Sequence, residues 1–278
     1  MLTYAVYSEA GGVGKTTLSA NLARAHAENG YDVLVVDLDP QDGSLSHLLG
    51  VDEDRADGDA DTLVHHMIDR PKGDLNDLFK TTEGFDVLPS HNRLEDLGSL
   101  LDRAAQTAED LGESFSKFGR LQHVLAKSNI PENYDILIVD PPATVGPHLY
   151  NAIYATRSLV IPVEPTGKGS ESIEGLESVV AGIEDTLDIQ VGVLAAVVNR
   201  FEGTNDQQAI HEKVDDLPYP NPVTLRKRSS LFEKCWSIQG SAFAVEDTDN
   251  VRKLRDYEHE TLDRIHDLAS FLEERGNL

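Results

Sequence analysis

The chain contains a single cysteine, Cys235, in 278 residues. This excludes an internal disulfide framework and any metal or iron–sulfur centre built from several cysteines of one chain. No run reaches the ~18 consecutive apolar residues of a membrane span. The N-terminus lacks a charged stretch followed by a long apolar one, so a cytoplasmic protein is expected. Positive charge is also scarce: 24 lysines and arginines stand against 49 aspartates and glutamates, a formal net charge of −25. The acids are spread through the chain, as in Asp52-Glu53-Asp54, Asp57, Asp59, Asp61 and Asp215-Asp216, and do not form one tail. Such a surface suits adaptation to high salt, where screening limits self-repulsion. A cationic partner is the other reading of the same charge.

Hydrophobic residues make up 40% of the chain, enough for a substantial core. Its length fits one large α/β domain over residues 1–278. Short apolar runs at 3–7, 32–36, 85–88, 135–139, 159–163 and 192–198 read as strands, separated by helical segments. Near-continuous apolar strands suit a mostly parallel sheet buried on both faces, and their alternation with helices predicts a doubly wound α/β fold. In such folds ligands bind beyond the carboxyl ends of the strands. Residues 51–62 read as an acidic loop, 63–70 and 91–111 as helices, 202–224 as loop around a short helix, and 250–275 as a final helix.

The first strand runs into Ala10-Gly11-Gly12-Val13-Gly14-Lys15-Thr16-Thr17, followed by a good helix former over 18–28. Glycines here let the backbone come close to an oxyanion with its N–H groups inward, and the helix N-terminus favours negative charge. Lys15 can reach the β- and γ-phosphates and Thr16 can offer a hydroxyl to Mg²⁺. Two further motifs end strands. Asp37-Leu38-Asp39-Pro40-Gln41 places two carboxylates at the rim of the second strand. Asp140-Pro141-Pro142 closes an apolar strand in the manner of a Walker B element, with Asp140 a candidate for holding Mg²⁺.

The loop has Glu9 where the general P-loop pattern has glycine. It resembles instead the deviant loop, K-G-G-x-G-K-[ST], of the ParA/MinD family of dimerising P-loop ATPases. That family carries a signature lysine that crosses the dimer interface to the partner's ATP; this chain has Ala10 there. The resemblance extends over nearly the whole chain and is weakest at 50–130. It implies that Asp39 orients the attacking water, that Asp37 is a candidate for the Mg²⁺ shell, and that Asn199, at the end of a late strand, reads the adenine. It implies an ATP-bound homodimer that hydrolyses ATP slowly, and a partner protein on the cargo side. Lys168, in a segment the family places near the dimer interface, is one candidate for the missing lysine's work. A bound K⁺ is another.

The densest positive segment is Arg226-Lys227-Arg228, with Lys253 in a second cluster. The resemblance implies non-specific duplex DNA binding there and a nucleoid-associated location. A solvated face balanced by nearby acids is the alternative. Leu262, Ile265, Leu268, Ala269 and Leu272 form a stripe on the last helix, but its polar face is acidic, the wrong sign for anionic lipid. The expectation is therefore core packing and no membrane. A MinD-like membrane-associated factor and an ATP-dependent small-molecule ligase are the other functions open to this fold.

Overall fold

Alternate residues of the central strands are buried on opposite faces of one sheet, as the apolar runs require. In the computed structural model, which describes residues 1–248 and 253–278 and all of their side chains except those of 167–176, eight strands are found among the described residues. They are β1 (Leu2–Val6), β2 (Val33–Asp37), β3 (Lys80–Thr82), β4 (Phe85–Leu88), β5 (Ile136–Asp140), β6 (Ser158–Val163), β7 (Gly192–Phe201) and β8 (Thr224–Arg226). Their order is β3-β4-β2-β5-β1-β6-β7-β8, and every pairing is parallel except β3 with β4. This is the α/β, mostly parallel architecture that the strand runs predict.

Tyr4, Val6, Val33, Val35, Ile136 and Ile138 enter one core, with helix α1 (Lys15–Glu28) and the last helix, Asp256–Gly276. Ala5, Tyr7, Leu34, Val36, Leu137 and Val139 enter the other, with the Leu97–Asp110, Arg120–Lys127 and Pro147–Thr156 helices. The period of two thus divides each strand between two apolar layers. At roughly 25 cal/mol per Å² of apolar surface, this double burial supplies the main force for folding. Leu262, Ile265, Leu268, Ala269 and Leu272 are all buried in the first core, as their spacing requires.

Three elements differ from the sequence reading. β3 and β8 are three-residue edge strands, and Leu225 is the one fully buried side chain of β8, so neither presents an apolar run. The segment 91–111 divides into a 3₁₀ turn at Asn92–Asp96 and the helix from Leu97. The last helix begins at Asp256, where the Glu258 carboxylate accepts from the Arg255 backbone N–H as a cap; residues 249–252 lie outside the described residues. No described helix is long and apolar enough to cross a membrane.

β1 lies where the winding reverses. The chain builds outward from it to β2 and β4 on one side, returns to insert β5 beside it, then builds β6, β7 and β8 on the other. The carboxyl ends of β1, β2 and β5 therefore meet at the switch point of the sheet.

Candidate nucleotide site

Residues 8–14 carry the chain from β1 into α1. Gly12 and Gly14 adopt φ of 78° and 92°, a region that strains any residue with a Cβ. No side chain caps the N-terminus of α1, and its first turn holds no acid. Its free N–H groups thus face the loop, a ready cradle for an anion. Lys15 Nζ donates to the Ser8 carbonyl at 3.3 Å across the loop. Burial pulls the Lys15 ammonium below its ordinary range, and the carboxylates of Asp140 and Asp39 oppose that pull.

The register of β2 on β5 sets Asp37 directly opposite Asp140, and both are buried. Two carboxyl groups side by side in the core resist ionising together. Burial raises Asp37, against hydrogen bonds from Ser46, Ser44 and the Asp39 backbone. Burial and the neighbouring Asp37 push Asp140 up to about 7, against the pull of Ser19, Thr16 and Lys15. The oxygens of Asp37 are taken up within the fold. Oδ1 accepts from Asp39 N at 3.0 Å, and Oδ2 accepts from Ser46 N at 2.8 Å and Ser46 Oγ at 2.6 Å. Asp140 differs. Its Oδ1 accepts from Ser19 Oγ at 2.8 Å, but Oδ2 is buried with no hydrogen-bond partner among the described residues. An orphaned carboxylate oxygen near the Thr16 hydroxyl fits a hard, oxygen-seeking cation.

Asp39 is half-buried on the loop after β2. Its Oδ1 accepts from Gln41 N at 2.9 Å, and its carbonyl accepts from Ser90 Oγ at 2.6 Å. His148 lies close enough to feel the Asp39 charge; burial lowers the imidazole below its ordinary range, and its Nε2 bonds the Leu94 carbonyl at 2.8 Å.

Asn199 and Arg200, at the end of β7, grip the loop from the other side. Asn199 Nδ2 donates to the Val13 carbonyl at 2.7 Å, while Oδ1 accepts from Arg200 N at 2.9 Å. Arg200, itself at φ 60°, donates from Nη1 to the Gly12 carbonyl at 2.8 Å and lies 3.4 Å from Glu164. Below them opens a cavity of about 230 Å³, lined by Gly12, Thr17, Asn199, Arg200, Phe232 and Trp236 among others.

The structure thus gathers Gly11, Gly12, Val13, Gly14, Lys15, Thr16, Thr17, Asp37, Asp39, Asp140 and Asn199 around one rim. Lys168 falls on a side chain outside the described residues. The basic segment is less free than its sequence suggests. Lys227 pairs with Glu202 at 3.2 Å. Arg228 lies 4.9 Å from the Tyr257 ring centroid and donates to the Tyr257 carbonyl and Thr261 Oγ1. Arg226 is exposed beside Phe201, and Lys253 is exposed. Sequence reasoning passed over Arg200, Ser46, Ser90 and His148. Arg200 stands next to Asn199, which was a usable signal; nothing in the spacing marks the others.

A family model described as an AAA domain (AAA_31) matches residues 1–193. The chromosome-partitioning ATPase Soj of Thermus thermophilus is 30% identical over 200 residues, 72% of this chain and 69% of that protein. The sporulation initiation inhibitor protein Soj of Bacillus subtilis is 31% identical over 200 residues, 70% of this chain and 72% of that protein. The chain belongs to the ParA/MinD family of P-loop ATPases. Solved structures of this fold agree along almost the whole length of the ATPase. McdA of Cyanothece in complex with ATP superposes with a TM-score of 0.76 at 18% identity, over 99% of this chain and 96% of that one. The cell division ATPase MinD of Pyrococcus furiosus gives 0.70 at 20% identity over 99% of each chain. Cobyrinic acid a,c-diamide synthase of Mycobacterium smegmatis, with an ATP analogue and magnesium, gives 0.72 at 22% identity over 99% and 95%.

Proposed function

We propose that this ParA/MinD-family ATPase is a Mg²⁺-ATP-dependent dimerising switch that partitions or positions DNA or another large cargo. The observation that carries the reading is the convergence, on one rim, of an uncapped glycine loop, the orphaned oxygen of buried Asp140 and the carboxylate of Asp39. In this reading the backbone N–H groups of 11–16 and Lys15 bind the phosphates. Thr16 and Asp140 hold Mg²⁺, which when bound neutralises charge developing on the phosphates. Asp39 aligns a water against the γ-phosphorus; the new P–O bond forms as the bond to the β-phosphate oxygen breaks, releasing ADP and phosphate. Asp37, fully engaged by Ser46 and Asp39, acts by fixing the Asp39 loop, and any share in the Mg²⁺ shell is through water.

Asn199 braces the loop and borders the cavity beside it, and its amide keeps one hydrogen and one acceptor site of Oδ1 for a base. Lys168 and a bound K⁺ remain our two candidates for the charge that Ala10 removes. For duplex DNA, exposed Arg226 with its chain neighbours Lys227 and Arg228, and exposed Lys253, are the candidates; phosphate contacts of this kind weaken steeply with salt. The apolar stripe of the last helix is used up against α1, which favours a DNA or protein track over a lipid one.

The test is ATP-dependent binding of duplex DNA by Asp39→Ala, across a KCl titration into the molar range. Binding that requires ATP and disappears when Arg226, Lys227 and Arg228 are neutralised supports a DNA-tracking switch. No binding at any salt, with nucleotide-driven dimerisation intact, overturns the DNA part and leaves a switch that follows a protein or membrane surface.

A further inference from the structure

Within the acidic stretch 51–62 one residue points the other way. Asp52, Glu53, Asp54, Asp57 and Asp59 are partly or fully exposed, and Lys80 pairs with Glu53 at 2.8 Å and Asp54 at 2.9 Å. Arg55, among them, is only 9% exposed and leaves these acids to Lys80. Its guanidinium reaches instead across the loop that carries Asp39. Nη2 donates to the Pro40 carbonyl, Nη1 to Ser44 Oγ at 3.2 Å, and Nε to Asn92 Oδ1 at 2.9 Å. Asn92 N returns a bond to the Arg55 carbonyl at 3.0 Å. Asp42 lies 3.5 Å away, but its side chain is fully exposed, and an ion pair so open to water adds little.

A buried guanidinium held mainly by neutral acceptors needs every one of those bonds. Its rigid fork holds Pro40, Ser44 and Asn92 at three separate nitrogens of one plane, a geometry that the single nitrogen of a lysine ammonium does not reproduce. The loop from 39 to 44 is thereby fastened at three places, by Arg55 at Pro40 and Ser44, by Ser90 at the Asp39 carbonyl and by Asp37 at the Asp39 N–H. Of these, Arg55 holds the residue that directly follows Asp39. We propose that Arg55 is a positioning residue for hydrolysis, acting through Asp39 and touching neither nucleotide nor metal. The inference rests on the role given above to Asp39.

The experiment compares full-length Arg55→Lys, Asp39→Ala and the double variant by steady-state ATP hydrolysis, Mg-ADP calorimetry and thermal unfolding. Arg55→Lys is expected to hold its Mg-ADP affinity within about twofold while kcat falls about 10- to 100-fold, the size of effect that a small misplacement of a reacting group produces. In the double variant Arg55→Lys is expected to add nothing to the loss already caused by Asp39→Ala, because the two act as one unit. Undiminished hydrolysis in Arg55→Lys, or losses that add in the double variant, overturns the inference alone. Undiminished hydrolysis in Asp39→Ala overturns the role of Asp39 and this inference with it. Should Arg55→Lys fail to fold, Asn92→Ala, at an exposed position, removes the acceptor of Nε: a kcat several-fold down at unchanged Mg-ADP affinity supports the proposal, and an unchanged kcat overturns it.

Discussion

Gly14 shows how tightly single residues are specified at the rim. A Cβ there would lie 2.7 Å from Asn199 Nδ2, on a backbone already at φ 92°. Gly14→Ala therefore meets both a collision and a left-handed strain of about 1–2 kcal/mol. Pushing Asn199 away would also break its bond to the Val13 carbonyl and loosen the loop. We expect Gly14→Ala to weaken Mg-ADP binding at least tenfold, roughly the ~1.4 kcal/mol that each decade requires, as read by calorimetry. Removing the collision with Asn199→Ala should recover only part of the loss, since φ stays strained. Most site residues at this scale were legible from the sequence, because the glycine loop and the strand-end aspartates are contiguous motifs. The brace on the loop was not: Asn199 reads in the sequence as a group for the base, and only the fold shows its bond to Val13 across 186 residues.

Helix α1 is anchored at the end away from the site. His26, fully buried, bonds Glu273 of the last helix through Nδ1 at 2.6 Å, and its Nε2 meets Tyr4 Oη at 2.9 Å. Asn29 Nδ2 donates to both Glu273 oxygens. Burial lowers His26 below its ordinary range, with Glu273 opposing, so the imidazole is neutral, donating to an ionised carboxylate. For Glu273, burial raises the carboxyl, but the hydrogen bonds from His26 and Asn29 outweigh it and hold it below its ordinary range. The sign for stability follows from linkage. The unfolded chain takes up a proton near the ordinary histidine value of about 6.5 that native His26 refuses, so stability is whole above that pH and falls below it. Glu273 adds a further loss as the pH falls from the ordinary carboxylate range, and that loss is complete once its own depressed value is passed. Asp140, which takes up a proton near pH 7 in the folded chain only, works in the opposite direction, so the pair is read by difference: His26→Gln should be less stable than the parent at pH 7.5, and the gap between their urea midpoints should narrow by pH 5.5. Parallel curves for the two proteins would sink this account. The stripe of the last helix was readable at its apolar spacing, whereas its pairing with α1 through a buried histidine was not.

Over the whole molecule the balance of −25 acts on every surface at once. Some of the few cations are already paired with acids, as Lys80 is with Glu53 and Asp54. Raising salt from about 0.15 M to 1 M shortens the screening length from about 8 Å to 3 Å and relieves the self-repulsion of such a surface. The unfolding temperature is accordingly expected to rise by about 4–8 °C over that range of KCl, the shift that ~2 kcal/mol gives in a chain of this size. A Tm that is flat or falls with KCl would argue against salt adaptation. The same screening opposes DNA contacts through Arg226 and its neighbours, so stability and DNA affinity should move in opposite directions along one titration.

The sequence by itself determined the layered α/β fold and the glycine loop with its strand-end aspartates, because these depend on the period of two and on neighbours along the chain. The tertiary structure alone decided how each aspartate is engaged. Asp37 and Asp140 are both strand-end carboxylates, yet Ser46 occupies one and leaves an oxygen of the other unpartnered. It also turned Arg55, one cation in an acidic loop, inward onto Pro40. Side chains carried in from neighbouring turns and elements set these outcomes, at separations of 9 and 15 residues that match neither the strand nor the helix period.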